Sequence, residues 1–219
     1  MNDRLASPQR VAVLLDGDLV PTARLAAQLE GAVAIAADGG MRHAQTLGLE
    51  PVLWVGDFDS APAELRARNN HVPRRDHPWR KSISDGELAI EHALESGARE
   101  LILCGALGGT RSDHMLFHIL YADALARRTG TAIILTSGIE EARPILPGQT
   151  LAPGLPAGTV FSIIPLTTLT GLTISGADWP LDGVEVAQGS SLTLSNIARQ
   201  NMAVTLGSGT AAMLATLAV

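Results

Sequence analysis

The segment LWVGDFDS, residues 53–60, places two carboxylates directly after an apolar run. The run has the composition of a buried strand, and a glycine ends it. Asp57 and Asp59 follow, and residues two positions apart in an extended segment point to the same side. A capped turn is the structural alternative. Two carboxylates held together also suit Mg²⁺, which takes one or two of them together with substrate phosphates. The segment therefore predicts a strand end that holds Mg²⁺ and a nucleotide.

Similar apolar runs alternate with helix-like segments through the first two thirds of the chain. They are residues 11–15, 32–37, 52–55, 101–104 and 132–136. Continuous apolar strands joined by helices indicate a parallel sheet that is covered on both faces. The clearest helix start is Ser84, because Glu87 three residues later completes a capping box. We therefore predict an α/β fold class, with a three-layer domain over residues 1–138.

The pattern changes after residue 138. Four prolines and three glycines within residues 140–158 predict a linker or a series of turns. Beyond it, apolar residues alternate with polar ones at 172–174, 192–194 and 202–206, which predicts short half-buried antiparallel strands. We expect these strands to form a smaller C-terminal β-sandwich domain over residues 139–219.

Composition limits the function classes. The 219 residues carry a net charge of -6, which argues against nucleic acid or an anionic membrane as the main partner. The single cysteine, Cys104, excludes an internal disulfide and a cysteine-based metal site, and it favours a reducing cytoplasm. The N-terminus lacks the apolar segment of a secretion signal, and no apolar run reaches the length of a membrane span. These features predict a cytoplasmic protein without a membrane anchor.

Two further strand ends carry polar and glycine-rich sequences. ADGG (37–40) closes the second run with Asp38 and Gly39, and GALGGTRSDH (105–114) follows the fourth. Each alone is explained by a helix cap or a tight turn. Ligands of parallel sheets bind beyond the carboxyl ends of the strands, so their coincidence at one edge favours a site. Glycines allow backbone N–H groups to approach a phosphate, and Arg111 has the geometry to bind one.

Charged residues flank these strand ends. Asp113 and His114 stand at the start of the next helix, where the carboxylate can cap the helix and the imidazole can contact phosphate. A basic group precedes the helix that begins near Ser84, and it offers either a solvated surface or an attraction for a triphosphate. Its members are Arg74, Arg75, Arg80 and Lys81.

Taken in order, these motifs resemble the thiamine pyrophosphokinase (thiamine diphosphokinase) family in its bacterial form. The matching segments are ADGG, GDFDS, SDGELAI, GALGGTRSDH and LTLSN, and they extend over nearly the whole chain. The resemblance implies an N-terminal α/β domain, a C-terminal β-sandwich and a homodimer with active sites where the two domain types meet. It also implies transfer of diphosphate from ATP to the hydroxyl of thiamine, giving thiamine diphosphate and AMP, with Mg²⁺ as the cofactor.

The resemblance assigns residues to roles. It implies that Asp57, Asp59 and Asp85 hold Mg²⁺ and carry catalysis. Nucleotide binding falls to Asp38, Gly39, Arg111, Asp113 and His114. Thiamine binding falls to Trp179, Ser195 and Asn196. One position departs from the family pattern, because Ser82 stands where family members commonly have an aspartate.

Three alternatives remain open from the residues. A haloacid-dehalogenase-type phosphatase is suggested by the two aspartates of DFD at a strand end, although in those enzymes the motif follows the first strand. A non-catalytic binder of thiamine or a nucleotide is suggested by Ser82. A diphosphokinase for another alcohol, such as a hydroxymethylpterin, is suggested because the donor site is better defined than the acceptor site.

Overall fold

The computed structural model describes residues 9–58, 61–76 and 83–217. Within them the chain forms two compact units. The first contains the residues up to Met115 together with Thr131–Gly138, and the second contains Leu116–Gly130 and Ile139 onward. The domain boundary after residue 138 stays a prediction, and the compact units differ from it by grouping residues 116–130 with the second unit.

The first unit is built on a parallel sheet. Among the described residues it has six strands, in the order β4-β3-β2-β1-β5-β6. Their bounds are β1 Arg10–Leu14, β2 Val33–Ala37, β3 Pro51–Gly56, β4 Arg74–Asp76, β5 Glu100–Cys104 and β6 Ala132–Thr136. The five strands expected from apolar runs are present. Strand β4 was not predicted, because its sequence RRD has no apolar residue.

Helices connect these strands as the sequence predicted. They are α1 Ala23–Leu29, α2 His43–Thr46, α3 Ala63–Arg68, α4 Asp85–Glu95 and α5 Ser112–Thr129, and a 3₁₀ helix spans Asp38–Arg42. The capping box of α4 is confirmed: Glu87 N–H donates to Ser84 Oγ at 3.2 Å, and Ser84 N–H donates to Glu87 Oε2 at 2.8 Å. None of the helices among the described residues is long and apolar enough to cross a membrane.

The strand order reverses direction at β1, which lies between β2 and β5. The loops that follow β1 and β5 meet there. A Cβ added to Gly17 would lie 2.1 Å from the carbonyl oxygen of Gly105, so both loops depend on glycine for this approach. This reversal of strand order at β1 is the point at which open parallel sheets bind ligands.

Cys104 at the end of β5 is fully buried, and burial raises the pKa of its thiol to about 12.

The second unit consists mainly of antiparallel strands. Their bounds are β7 Glu140–Ile145, β8 Thr150–Leu151, β9 Val160–Pro165, β10 Leu169–Ala177, β11 Leu181–Val186, β12 Asn196–Thr205 and β13 Ala211–Thr216. Strand β12 pairs with β9 through its first residues and with β10 along most of its length. Side chains from the strands on either side of β12, including Phe161 of β9, Leu172 of β10 and Met213 of β13, form one core. This confirms the strand-rich C-terminal part.

Two expectations for this unit were wrong. The segment around Leu192 and Leu194 forms a turn, and these side chains are 60% and 48% exposed. The buried residue is Thr193, which exchanges hydrogen bonds with the backbone of Ile163, so the alternation runs opposite to the prediction. The segment 140–158 contains β7 and β8 and is more than a linker. Of its four prolines, Pro144 lies in β7, opposite Ala212 of β13, and the other three lie outside the strands.

Candidate functional site

Three carboxylates converge at the carboxyl edge of the parallel sheet. Oxygen atoms of Asp38, Asp57 and Asp85 all lie within 4.8 Å of one another. Asp38 follows β2, Asp57 follows β3 and Asp85 is the first residue of α4, so three separate elements supply the cluster. Carboxylate oxygens are ligands that Mg²⁺ prefers, and a small cluster of them fits this ion chemically. We call these three residues the acidic cluster.

The first member of the acidic cluster has an unusual backbone. Asp38 has φ of 41°, in the left-handed region that residues other than glycine seldom adopt. The indole N–H of Trp54 donates a hydrogen bond to the carbonyl oxygen of Asp38 at 2.8 Å. Gly56 leaves room for the side chain of Asp38, because a Cβ at residue 56 would lie 3.2 Å from the Cβ of Asp38. Strand β3 therefore fixes the position of Asp38.

The segment after Asp57 is held by aromatic and cationic contacts. Phe58, with φ of 61°, packs edge-to-face on Trp54 with ring centroids 5.1 Å apart. The guanidinium of Arg74 lies 5.0 Å from the Trp54 ring centroid and 5.6 Å from that of Phe58. Arg66 donates to the carbonyl oxygen of Phe58 at 3.0 Å. Arg74 is thus engaged with two aromatic rings, a role that its place in a basic segment did not indicate.

The position of Asp85 follows from the N-terminus of α4. The capping box fixes the first turn, and a carboxylate there interacts favourably with the positive end of the helix dipole. Gly86 brings this turn against the residue that follows β1, because an added Cβ would lie 2.9 Å from the side chain of Leu15. The glycine in the first turn therefore serves the packing of α4 on the sheet.

Sequence reasoning missed two carboxylates after β1. Asp16 and Asp18 belong to LLDGD, which like VGDFD places two aspartates two positions apart after an apolar run, although here the glycine lies between them. Arg42 forms a salt bridge with the Asp16 carboxylate at 2.6 Å and donates to the Asp16 carbonyl oxygen at 2.8 Å. The carboxylate of Asp16 lies over Gly39, where an added Cβ would be 2.6 Å from its Cγ. Gly39 therefore makes room for Asp16.

A histidine supports the same loop. His43 is buried, and its Nε2 lies 2.9 Å from the carbonyl oxygen of Gly17, so this nitrogen carries the proton and donates it. Burial lowers the pKa of His43 from 6.5. Beside this loop a cavity of about 300 Å³ is lined by Gly39, Arg42 and residues of α3, including Leu65 and Arg68. The cavity lies next to the Asp38 corner of the acidic cluster.

The glycine-rich loop lies after β5, as predicted. Gly108 and Gly109 have φ of 80° and 83°, and an added Cβ on Gly109 would lie 3.7 Å from the Asp18 carboxylate. Arg111 donates to both oxygens of Asp113, from Nε at 2.9 Å and from Nη2 at 2.8 Å. This exposed pair lowers the pKa of Asp113 well below its usual range and raises that of Arg111.

His114 follows in the first turn of α5, where its N–H donates to the Arg111 carbonyl oxygen at 3.1 Å. The structure therefore brings Arg111, Asp113 and His114 together at the start of this helix.

The predicted thiamine residues lie together in the second unit. The indole of Trp179 is 59% exposed, whereas Asn196 is buried. Asn196 Oδ1 accepts from the backbone N–H of Trp179 at 3.1 Å, and Nδ2 donates to its carbonyl oxygen at 2.7 Å. Ser195 has φ of 57°, and its N–H donates to Ser162 Oγ at 3.0 Å. The side-chain amide of Asn196 is thus engaged with the protein backbone, and the exposed surface is the indole.

Asp59, Ser82, Arg80 and Lys81 lie outside the described residues. Arg75, the remaining member of the basic group, has Nη1 3.1 Å from both ring nitrogens of His92. Burial, followed by the charge of Arg75, lowers the pKa of His92.

Comparison with known proteins gives two family matches and several similar structures. The thiamin pyrophosphokinase catalytic domain matches residues 28–135, and the thiamin pyrophosphokinase vitamin B1 binding domain matches residues 150–210. The thiamine pyrophosphokinase of Bacillus subtilis (strain 168) is 29% identical over 167 residues, which are 74% of this chain and 76% of that protein.

Crystal structures agree with the fold. That of thiamine pyrophosphokinase from Bacillus subtilis has a TM-score of 0.82 at 24% identity and covers 96% of this chain and 100% of its own. That of thiamin pyrophosphokinase from Geobacillus thermodenitrificans has a TM-score of 0.80 at 27% identity and covers 95% of this chain and 98% of its own. The architecture described above is therefore shared along nearly the whole length.

Proposed function

This chain belongs to the thiamin pyrophosphokinase family, and we propose that it transfers diphosphate from ATP to the hydroxyl of thiamine. The hydroxyl oxygen attacks the β-phosphorus, the bond from that phosphorus to the oxygen of the α-phosphate breaks, and AMP leaves. A carboxylate oxygen of the site accepts the hydroxyl proton. The observation that carries this proposal is the convergence of three carboxylates at the carboxyl edge of the sheet. Such a transfer depends on in-line placement and cancellation of charge.

The acidic cluster is proposed as the Mg²⁺ site. Asp57 and Asp85 are the ligands that the sequence predicted, and Asp38 joins them because its oxygen lies within the same 4.8 Å group. Asp59 stays a predicted ligand from its place in GDFDS. When bound, Mg²⁺ neutralises phosphate charge and orients the diphosphate. The carboxylates determine where the phosphate charge is neutralised, because each lies on or directly after a different rigid element, namely β2, β3 or α4.

The nucleotide is proposed to extend along the same edge of the sheet. The cavity beside Gly39 has room for a nucleoside, and its lining includes Arg42 and Arg68. Arg111 and His114 stand at the start of α5, where helix N–H groups and a guanidinium favour phosphate. Asp113 holds the guanidinium of Arg111 in a fixed orientation through two hydrogen bonds. We therefore assign Asp113 to positioning Arg111.

Thiamine is proposed to contact the exposed indole of Trp179. An aromatic ring of the acceptor can stack on this surface, and the two hydrogen bonds between the Asn196 side chain and the Trp179 backbone keep the surface in place. Ser195 lies next to Asn196 and is the further thiamine residue that the resemblance implies. A homodimer and a cytoplasmic location are part of the same proposal, and light scattering on the purified protein tests the first.

The decisive experiment is incubation of the protein with ATP, Mg²⁺ and thiamine. We expect AMP and thiamine diphosphate to form in equal amounts. Release of inorganic phosphate from ATP or from phosphoesters, with no thiamine diphosphate, would instead indicate a phosphatase. AMP formation only when a hydroxymethylpterin replaces thiamine would indicate a different acceptor. Binding of both ligands without AMP would indicate a non-catalytic protein.

A further inference from the structure

Trp54 connects two corners of the acidic cluster. Its side chain is fully buried in the first unit. The indole N–H donates to the carbonyl oxygen of Asp38 at 2.8 Å, and the ring contacts Phe58, the residue after Asp57, edge-to-face. One side chain therefore touches the backbone of one carboxylate residue and the neighbour of another. The proposed chemistry itself does not require a tryptophan at this position.

Both segments that Trp54 contacts have disfavoured backbones. Asp38 has φ of 41° and Phe58 has φ of 61°, which residues with a Cβ adopt only where the surroundings hold them. Relaxation of either segment would turn its carboxylate away from the others. Arg74 strengthens the arrangement, because its guanidinium lies over both rings while its Nη2 donates to the Arg66 carbonyl oxygen at 2.7 Å.

We propose that Trp54 is a positioning residue for the divalent-cation site, holding Asp38 and Asp57 at the separation that a shared cation requires. The inference rests on the proposed function in taking the acidic cluster as a cation site. It adds that the affinity of that site is set by a residue that contributes no ligand atom. Loss of the indole N–H releases Asp38, and loss of the edge-to-face contact releases the segment of Asp57.

The test measures Mn²⁺ binding to the full chain by calorimetry, with no ATP or thiamine present. Trp54→Phe keeps an aromatic ring and removes the N–H donor. We expect its dissociation constant for Mn²⁺ to rise by about fivefold to tenfold, as loss of one buried hydrogen bond predicts. Phe58→Leu keeps the N–H donor and removes the aromatic contact, and we expect a rise in the same direction.

Leu29→Ala is the matched control. Leu29 is buried in the same core as Trp54, but it ends α1 at the amino edge of the sheet, where its carbonyl oxygen accepts from Ala32 just before β2. It should lower the thermal midpoint without metal and leave the increase caused by Mn²⁺ unchanged. Trp54→Phe should reduce that increase.

Unchanged Mn²⁺ affinity in both Trp54→Phe and Phe58→Leu would overturn the proposal. Equal losses of Mn²⁺ affinity in Leu29→Ala and Trp54→Phe would also overturn it, because the effect would then come from general destabilisation. A protein that binds Mn²⁺ as expected but forms no thiamine diphosphate would contradict the proposed function alone, and the inference about Trp54 would stand.

Discussion

Asn196 holds Trp179 by the backbone, accepting from its N–H at 3.1 Å and donating to its carbonyl oxygen at 2.7 Å. The same Oδ1 also accepts from the N–H of Ile197 at 2.8 Å. Next to Trp179, Asp178 forms a two-point ion pair with Arg199 of β12. The indole is therefore exposed on a backbone that is fixed from two sides, which is the condition for a stacking surface that loses little entropy on binding.

Removing the side chain of Asn196 should weaken thiamine binding. Asn196→Ala deletes all three hydrogen bonds of the side chain and frees the backbone of Trp179. We expect thiamine affinity to fall by roughly fivefold to tenfold, with ATP affinity unchanged, because the freed indole must be ordered when thiamine binds, at a cost of about 1 kcal/mol. Separate calorimetric titrations of the two ligands measure this. Equal losses for both ligands would show that Asn196 supports the whole fold and has no particular effect on the thiamine surface.

Removing the indole itself should affect thiamine binding directly. Trp179→Ala should weaken thiamine binding far more than ATP binding, because stacking contributes about 1 kcal/mol beyond area burial. Trp179→Phe should retain part of the affinity. Since the side chain is 59% exposed, the thermal midpoint should change little in either variant. A large drop in the midpoint with parallel loss of both affinities would contradict this assignment.

The acidic cluster leads to a prediction about activity and stability together. Asp57→Asn should lower diphosphate transfer by roughly a hundredfold or more, because it removes a charged donor from the cation site. The thermal midpoint without Mg²⁺ should stay level or rise, because repulsion among the three carboxylates decreases. Asp182→Asn, an exposed carboxylate on β11, is the control and should leave turnover unchanged. Wild-type turnover of Asp57→Asn at saturating Mg²⁺ would contradict the metal assignment.

A steric conflict is expected between residues 39 and 16. Gly39→Ala places a Cβ 2.6 Å from the Asp16 carboxyl carbon, so it should push this carboxylate away from Arg42 and lower the free energy of unfolding. In an Asp16→Gly background the same change should lower it less. The double-mutant cycle from chemical denaturation should therefore give a coupling of about 0.5 kcal/mol or more. Additive effects would mean that residue 39 adapts independently of Asp16.

Stability should fall in mild acid. His43 and His92 both have pKa values lowered by burial, so the unfolded chain binds more protons than the folded one just below pH 6.5. The free energy of unfolding should therefore decrease as the pH falls below about 6.5, and it should level off below the folded-state pKa values. His43→Gln keeps a donor for the Gly17 carbonyl oxygen and should reduce this slope. Denaturation at a series of pH values measures it, and an unchanged slope would exclude His43 as a source.

The sequence predicted features that depend on local patterns. The five apolar strands, the helices between them and the capping box at Ser84 all follow from residues close together in the chain. Asp85 was assigned to the site through the resemblance of SDGELAI to the family's motif, and the local pattern added only its place at a helix start. Asp16 and Asp18 were detectable by similar reasoning, since LLDGD shares with VGDFD the spacing of two aspartates after an apolar run.

Other features depend on distant contacts. Arg74 looked like part of a basic surface, yet its guanidinium lies over Trp54 and Phe58, which no spacing rule indicates. The alternation around Thr193 predicted a strand with inward leucines, but the turn exposes them because Thr193 is fixed to Ile163 of β9. Such contacts arise only once the partner strands have been placed.

The burial of Cys104 makes the thiol a reporter of sheet opening. With a pKa of about 12 and no exposed surface, this sulfur is inert toward alkylating agents while β5 stays in place between β1 and β6. Because the chain has a single cysteine, each molecule that reacts records one excursion of the central strands into solvent. The rate of alkylation therefore measures how often the centre of the sheet opens under native conditions, without any introduced label.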